Sequence, residues 1–337
     1  MLKIGIIGAG RIGKVHGESI TKYVKGAEIK AVADIFLNDS VRKWAAGLGI
    51  PCVYDDYHKI LEDKEIDAVV ICSSTDTHAK ISIEAIRAGK HVFCEKPIDH
   101  DLSRIKEVIE ELAKSKVKYQ VGFNRRFDHN FHAVHDAVAA GKIGRPHILK
   151  ITSRDPNPPT PEYIKVSGGI FLDMTIHDFD MTRYLLGSEV TEVYAAGSVL
   201  VDKAIGEAGD IDTAIITMKM ENGALAVIDN SRKASYGYDQ RAEVFGSKGQ
   251  ITISNDTASS AVLSTEDGVT AEKPLYFFLE RYMQAYAEEM NQFVEAIVKN
   301  KPVPAGADDG LKAVLIGVAA KKSYEEKRPV RISEIIF

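Results

Sequence analysis

A glycine-rich run follows the first apolar segment of the chain. Gly8, Gly10 and Gly13 stand in the pattern G-x-G-x-x-G, with Arg11 and Ile12 between the last two glycines. The pattern follows a strand-like run and opens a helix-like stretch, an arrangement that brings backbone N–H groups and a helix N-terminus to a pyrophosphate. The run predicts a dinucleotide-binding turn, the alternative being a glycine-rich turn that binds no ligand.

Asp34 ends the next apolar run, about 20 residues beyond the last glycine. Its carboxylate can accept hydrogen bonds from ribose hydroxyls and repels a 2′-phosphate. Because residues 35–37 are apolar, the sequence favours NAD over NADP as the cofactor. Arg42 and Lys43 follow on the next helical stretch, so some use of NADP stays open.

Polar residues follow the fourth apolar run as Ser73, Ser74, Thr75 and His78. The carboxyl ends of parallel strands line the ligand crevice of an open sheet, so these side chains are candidates for cofactor contact. Capping of the next helix by Thr75 or Asp76 is a second role that the pattern allows.

Lys96 closes the fifth apolar run within Cys94-Glu95-Lys96-Pro97. An ammonium group at this edge can hydrogen-bond a substrate hydroxyl and stabilise the alkoxide that develops as hydride leaves. The alternative is a surface lysine at the end of a strand. Glu95 and Pro97 stand beside the same expected cofactor site.

Asp173, His177 and Asp180 have the spacing i, i+4, i+7, which places them on one face of a helix. An imidazole one turn from a carboxylate suits a general base, because the carboxylate sets its tautomer and supports the imidazolium. The alternative is a histidine satisfied by local hydrogen bonds.

Three more histidines, His129, His132 and His135, lie close together in another helical stretch. Their spacing does not place all three well on one ligand face, and no matching carboxylate stands out. No metal site is expected there, and none is expected from the three cysteines, which form no CxxC pair.

The elements that must position these residues change character near residue 123. Before it, apolar runs alternate with amphipathic helical stretches, which predicts βαβ units and a doubly wound parallel sheet. The runs cover 2–8, 28–34, 51–54, 67–73, 91–96 and 118–123, and the clearest helices cover 11–24, 77–88 and 102–114.

Beyond residue 123 several alternating strands follow, which predicts an α+β domain with a large open, mostly antiparallel sheet. Asn222-Gly223 separates two of the strands and predicts a tight hairpin. One helix is expected over 170–186, and two long helices, 276–299 and 307–325, close the chain. The predicted domains are residues 1–123, for the dinucleotide, and residues 124–337, for substrate binding and oligomerisation, with the C-terminal helix able to pack back on the first.

Composition limits the classes of partner. The net charge of −5 argues against nucleic acid, whose binding needs a basic stripe. No segment approaches the roughly 18 consecutive apolar residues of a membrane span. Cys52, Cys72 and Cys94 sit in or beside apolar runs, as reduced thiols do in cytoplasmic proteins.

Together these motifs resemble the glucose-fructose oxidoreductase/inositol dehydrogenase/rhizopine catabolism family, over nearly the whole chain. The likeness rests on the glycine run, on residues 94–97 and on the helix at 168–177. Residues 121–128 and 236–239 are similar to signatures of its inositol dehydrogenase branch. The family often has T-P-x-x-H after the fourth strand, where this chain has Thr75-Asp76-Thr77-His78.

The resemblance implies a catalytic set of Lys96, Asp173 and His177. His177 takes the hydroxyl proton while Lys96 holds that oxygen, and Asp173 orients both groups. It implies further substrate contacts, which are Arg125, Asp155, Tyr238 and Tyr286.

The resemblance also implies the reaction, which is NAD-dependent oxidation of a ring hydroxyl of an inositol. The substrate would be myo-inositol, which gives 2-keto-inositol, or an isomer such as scyllo-inositol. The alternatives are a dehydrogenase of another neutral sugar or polyol and a non-catalytic NAD-binding sensor. A homo-oligomer, dimer or tetramer, through the C-terminal sheet is implied as well.

Overall fold

The computed structural model describes residues 1–336, which form two compact units. The first unit contains Met1–Phe127 and Met283–Val314, and the second contains Asp128–Tyr282 and Leu315–Ile336. Each unit has its own large sheet. Within residues 1–336 no helix is both long and apolar enough to cross a membrane.

The first unit is built on a six-stranded parallel sheet. Its strands are β1 (Leu2–Ile7), β2 (Ala27–Ala33), β3 (Cys52–Tyr54), β4 (Ala68–Ile71), β5 (His91–Glu95) and β6 (Tyr119–Gly122). They lie in the order β3-β2-β1-β4-β5-β6, and every neighbouring pair is parallel. All four residues of β4 are buried, as expected for a strand covered on both faces.

Five helices connect these strands, and side chains cap the N-termini of two of them. They are α1 (Arg11–Tyr23), α2 (Asp39–Gly47), α3 (His58–Glu62), α4 (Thr75–Arg87) and α5 (Leu102–Leu112). Asn38 caps α2 and Asp101 caps α5 through side-chain oxygens that accept backbone N–H groups. A short 3₁₀ helix, Asn124–Phe127, follows β6. The doubly wound sheet predicted from the sequence is confirmed.

The second unit contains a seven-stranded sheet and a separate two-stranded hairpin. The strands are β7 (Pro146–Arg154), β8 (Val190–Ser198), β9 (Thr213–Met220), β10 (Leu225–Ser231), β11 (Asp239–Gly246), β12 (Gly249–Ile253), β13 (Val262–Thr265), β14 (Gly268–Ala271) and β15 (Val330–Arg331). The large sheet has the order β12-β11-β7-β10-β9-β8-β15. Its neighbours are antiparallel except β7 and β10, so the predicted mostly antiparallel sheet is confirmed.

The hairpin predicted at Asn222-Gly223 joins β9 to β10. Gly223 adopts a φ of 86°, and its N–H donates to the carbonyl of Met220. Glycine suits this turn because a side chain is disfavoured at positive φ. The hairpin β13–β14 was not predicted, since its eight residues are all exposed and carry no alternating apolar pattern.

The helices of the second unit are α6 (His129–Ala139), α7 (Pro161–Ser167), α8 (Gly169–Asp173), α9 (Ile176–Leu186), α10 (Lys203–Glu207) and α11 (Phe278–Arg281). The single helix expected over 170–186 is therefore two helices, α8 and α9. Likewise α11 is separate from the next helix, α12 (Met283–Val298), where one helix was expected.

Residues 283–314 lie in the first unit, whereas the sequence assigned them to the domain of residues 124–337. They contain α12 and the first residues of α13 (Ala307–Glu326). The physical reason is apolar packing, because Met290, Phe293 and Val294 of α12 belong to the buried cluster that contains Ile4 and Val70 of the parallel sheet.

Candidate active site

The glycine-rich turn lies between β1 and α1, and two of its glycines are required by close packing. Gly8 has a φ of 98°, and a Cβ there would lie 2.6 Å from the backbone of Cys72. A Cβ on Gly13 would lie 1.9 Å from the carbonyl oxygen of Gly8. Gly10, in contrast, has open space around its missing side chain. The turn therefore fits a ligand whose phosphates approach the backbone at Gly10.

The N-terminus of α1 suits an anion. Gly10 is the N-cap and provides no side-chain cap, and the first turn contains no acidic residue. Asp34 supports the turn from the end of β2, because its Oδ2 accepts the N–H of Ala9 at 2.7 Å and its Oδ1 accepts that of Phe36 at 2.8 Å. These residues fit a dinucleotide, with the pyrophosphate at α1 and the ribose at Asp34.

The segment after β4 runs directly into α4, which begins at Thr75. Ser74 is therefore the N-cap residue, and the expectation that Thr75 or Asp76 caps the helix is wrong. The hydroxyls of Ser73 and Thr77 lie 2.7 Å apart, and the Thr77 hydroxyl donates to the carbonyl of Ser74. These contacts hold the segment as a compact turn beside the backbone of Gly8.

His78 links this turn to the end of β5. It is buried, and its Nδ1 and Nε2 face the carbonyl oxygens of Pro97 at 2.8 Å and Ser73 at 3.0 Å. Burial alone lowers the pKa of a histidine, but Cys94 and the two carbonyl oxygens outweigh it and raise the pKa of His78 to about 9. A protonated imidazole can donate to both carbonyls, so His78 joins the two segments predicted to line the cofactor site.

Lys96 lies immediately after β5 and is partly buried, and its peptide bond to Pro97 is cis. The preceding Glu95 points into the first unit, where its Oε1 shares a hydrogen bond of 2.6 Å with Nε2 of His16 on α1. The helix that begins at the glycine turn is thereby bonded to the strand that ends at Lys96. His16 was not considered from the sequence, because a histidine inside an apolar helix face gives no separate signal.

Arg125 and Tyr286, two of the expected substrate contacts, also belong to the first unit. Arg125 lies in the 3₁₀ helix after β6 and is buried. Tyr286 lies on α12, and its ring packs edge-on against the imidazole of His16 with the centroids 5.7 Å apart.

In the second unit Asp173 ends α8 and His177 lies in the first turn of α9. A buried network fixes the start of α9. The hydroxyl of Thr175 donates to Asn230 Oδ1 at 2.6 Å, and Nδ2 of Asn230 donates to Asp178 Oδ2 at 3.0 Å. Since Asn230 is on β10, the sheet itself sets the position of the residues that precede His177.

Asp173 has two partners that the sequence did not reveal. Nη1 of Arg232 donates to its Oδ2 at 2.9 Å, and the hydroxyl of Tyr163 donates to its Oδ1 at 2.9 Å. Asp155, which follows β7, lies 3.8 Å from the same nitrogen of Arg232.

Tyr238, another of the expected substrate contacts, is buried between the rings of Phe277 and Tyr282.

The histidines on α6 have a carboxylate beside them, contrary to the expectation. Nδ1 of His135 lies 3.2 Å from Asp136, Nε2 of His132 lies 3.6 Å from it, and the two rings are stacked. Asp136 and His132 are exposed. His129 instead lies 3.6 Å from both Asp128 and Asp256.

Both units match known protein families. Residues 2–123 match the family described as "Oxidoreductase family, NAD-binding Rossmann fold", which confirms the predicted cofactor and fold. Residues 131–252 match the "GFO/IDH/MocA C-terminal domain". Together the matched residues exceed half of the chain.

Two curated relatives are similar over their full length. The myo-inositol 2-dehydrogenase of Thermotoga maritima is 51% identical over 335 residues, covering 99% of this chain and 100% of the relative. The inositol 2-dehydrogenase of Rhizobium meliloti is 46% identical and covers 98% and 99% respectively.

Solved structures agree in fold. The probable dehydrogenase from Thermotoga maritima superposes with a TM-score of 0.97 at 51% identity, covering 99% of this chain and 100% of that one. The scyllo-inositol dehydrogenase from Lactobacillus casei, solved with NAD(H) and scyllo-inositol, has a TM-score of 0.92 at 31% identity and 99% coverage of both chains.

Proposed function

Because the chain belongs to the GFO/IDH/MocA family of oxidoreductases, we propose that it oxidises a ring hydroxyl of an inositol with NAD. The substrate is myo-inositol, giving 2-keto-inositol, or an isomer such as scyllo-inositol. The observation that carries this proposal is similarity along the whole chain to relatives named inositol 2-dehydrogenase. It covers both units, and therefore both the cofactor residues and the substrate residues.

The cofactor is held by the first unit. NAD supplies the acceptor for the hydride when it is bound. The N-terminus of α1 would hold the pyrophosphate and Asp34 the adenosine ribose, which is supported by the open space at Gly10 and the uncapped helix. The residues assigned to the cofactor are Gly8, Gly10, Arg11, Ile12, Gly13, Asp34, Ser73, Ser74, Thr75, His78, Glu95, Lys96 and Pro97.

Two side chains act on the reacting hydroxyl, and a third orients them. The ammonium of Lys96 donates a hydrogen bond to the hydroxyl oxygen and stabilises the developing alkoxide. The imidazole of His177 accepts the hydroxyl proton as general base. The carboxylate of Asp173 orients both groups, and its own direction is fixed by hydrogen bonds from Tyr163 and Arg232.

The remaining ring hydroxyls bind to polar side chains, namely Arg125, Asp155, Tyr238 and Tyr286. A neutral polyol suits this set, since hydroxyls both donate and accept hydrogen bonds and leave fewer buried polar groups unpaired.

The protein works as a homo-oligomer, a dimer or tetramer formed through the open face of the seven-stranded sheet. Supporting this, Ile148 pairs with Leu225 on one side and Phe245 on the other, and all three are exposed. Exposed apolar patches of this kind mark interfaces. Light scattering should give the mass of an oligomer, and Phe245→Glu should lower it.

The cytoplasm is the proposed location. Cys52, Cys72 and Cys94 are all unpaired, as is usual in a reducing compartment.

The activity is tested by mixing the protein with NAD and a panel of inositols and aldoses while the absorbance of reduced nicotinamide is followed. Oxidation of an inositol in preference to aldoses supports the proposal. Oxidation of an aldose alone assigns the enzyme to another sugar, and no oxidation with NAD binding intact favours a sensor.

The catalytic assignment is tested with Lys96→Ala and His177→Ala. Each should lower turnover by about 10²–10⁴-fold and leave NAD affinity nearly unchanged. Lys80→Ala, an exposed lysine on α4, is the control and should retain full activity. Loss of NAD binding in the His177 variant would remove His177 from the proton-transfer role.

A further inference from the structure

Both oxygens of the Asp173 carboxylate accept hydrogen bonds from side chains of the second unit. Nη1 of Arg232 donates to one oxygen and the hydroxyl of Tyr163 donates to the other, each at 2.9 Å. Two donors on opposite oxygens fix the rotation of a carboxylate as well as its position. The direction of Asp173 is therefore set by Arg232 and Tyr163.

Arg232 is the more buried of the two donors, with 3% of its side chain exposed. Its guanidinium faces three carboxylates, those of Asp173, Asp155 at 3.8 Å and Asp210 at 3.9 Å. Burial alone lowers the pKa of an arginine, but these carboxylates outweigh it and raise the pKa of Arg232. The guanidinium is consequently a permanent buried cation beside Asp173.

The same cluster holds α8 at both ends. Oδ1 of Asp210 accepts the N–H of Ile170 at 3.1 Å, in the first turn of the helix, and Asp173 is its last residue. The backbone N–H of Arg232 donates to the carbonyl of Asp212 at 2.8 Å, which fixes the base of the arginine. Arg232 thus lies beside the residues that define the start and the end of α8.

The sheet explains why Arg232 and Asp155 are neighbours. β7 and β10 form the parallel pair of the large sheet, and Arg154 is in register with Ser231 at their ends. Asp155 and Arg232 are the next residues of the two strands, so they leave the sheet side by side. Parallel strands bring residues to a common edge in this way.

We propose that Arg232 is a positioning residue that orients Asp173 and keeps it ionised for the reaction at the inositol hydroxyl. This inference rests on the proposed function, since Asp173 matters to turnover only if the chain is a dehydrogenase. Arg232 does not itself touch the reacting atoms. It acts through Asp173, and a purely structural role would leave the pH dependence of turnover unchanged.

The central test compares Arg232→Gln with the wild type over a range of pH. Loss of the cation should move the acidic limb of the kcat/KM profile to higher pH by about one unit or more, because a neighbouring arginine favours the ionised form of a carboxyl and Asp173 would become easier to protonate without it. With Asp173 less well oriented, kcat should fall about 10- to 100-fold. NAD affinity should not change.

Two further variants separate charge from shape. Nε and Nη2 of Arg232 have no hydrogen-bond partner within the described part of the chain, so a single donor carries the contact. Arg232→Lys should therefore keep the acidic limb within a few tenths of a pH unit and recover much of kcat. Arg183→Gln removes another buried arginine, which pairs with Glu189, and it should leave the acidic limb of the kcat/KM profile in place.

A readout without turnover keeps the inference testable by itself. In a double-mutant cycle, the drop in denaturation midpoint caused by Arg232→Gln should be smaller in an Asp173→Asn background. Should Arg232→Gln fail to fold, Tyr163→Phe tests the other oxygen, and its exposed position makes it mild. It should lower kcat with unchanged NAD affinity.

The outcomes are distinct. An acidic limb in Arg232→Gln that coincides with that of the wild type, or strictly additive midpoints in the cycle, overturns the positioning role while the dehydrogenase activity stands. A wild-type protein that oxidises no inositol overturns the proposed function, and the cycle then still decides whether Arg232 holds Asp173.

Discussion

Glu289 on α12 is an acid in the interior of the first unit. It is fully buried, and neither of its carboxyl oxygens has a partner within residues 1–336. Nε2 of His16 lies 3.9 Å away, beyond hydrogen-bonding distance, and is bonded instead to Glu95. Burial, and then the carboxylate of Glu95, raise the pKa of Glu289 well above its usual 4.5.

Glu289 should therefore stay protonated in the folded protein at pH values where the unfolded chain has released that proton. The stability that the protonated carboxyl contributes is fully present below the pKa of Glu289 in the unfolded chain. It is lost as the pH rises through the pKa of Glu289 in the folded protein. The free energy of unfolding should fall by about 1.4 kcal/mol for each pH unit in this window. Glu289→Gln keeps the shape of the protonated acid but does not titrate, so it should not show this loss.

The measurement is urea or thermal unfolding of wild type and Glu289→Gln from pH 4 to pH 8. The two should coincide near pH 4, and above it the variant should become the more stable by a growing margin. Glu288→Gln is the matched control, because Glu288 is the neighbouring residue, is exposed and accepts a hydrogen bond from Gln292. Parallel curves, or a variant that loses stability relative to wild type as pH rises, would mean that Glu289 is ionised and refute the reasoning.

Three other predictions concern the cofactor unit. Asp34→Ser should weaken NAD binding by about 10- to 100-fold in a fluorescence titration and relatively favour NADP, whereas an unchanged preference would remove the ribose role. Gly10→Ala should fold normally and lose NAD affinity, while Gly13→Ala should lower the melting temperature as well, since only its Cβ meets the backbone of Gly8. His78→Gln should have a lower free energy of unfolding than wild type near pH 6. This difference should shrink by roughly 3 kcal/mol toward pH 9, because wild-type His78 loses its proton there. A difference that stays constant with pH would contradict the raised pKa of His78.

The parallel sheet was predictable in detail because its strands are short apolar runs covered on both faces. All six appear within a few residues of the expected bounds, and their alternation with helices predicted that they would pair in parallel, as β1 does with β2 and β4. The placement of α12 was not predictable, since an amphipathic helix shows that it has a buried face but not which sheet covers it.

The interruption between α8 and α9 was also invisible in the sequence. The apolar residues of 170–186 keep a helical period through Met174 and Thr175, so the pattern indicates one helix. At the break, the Thr175 hydroxyl is bonded to Asn230, which is 55 residues away along the chain. Local propensity carries no information about a contact at that separation.

The two units differ in how far a motif could be converted into a site. In a parallel sheet every strand ends at the same edge, so the residues after β1, β4 and β5 had to be neighbours once the strand order was known. The close approach of Gly8 to Cys72 and the hydrogen bond of His78 to Pro97 agree with this. In an antiparallel sheet the strand ends alternate between edges, so Asp155 and Arg232 could not be placed together from their positions alone. They meet because β7 and β10 are parallel, an exception that the alternating pattern of either strand cannot show. The sequence motif therefore predicts Asp173 as the acid that takes part in the chemistry. The cation beside it, Arg232, is found only in the structure, because its place depends on the parallel pairing of β7 and β10.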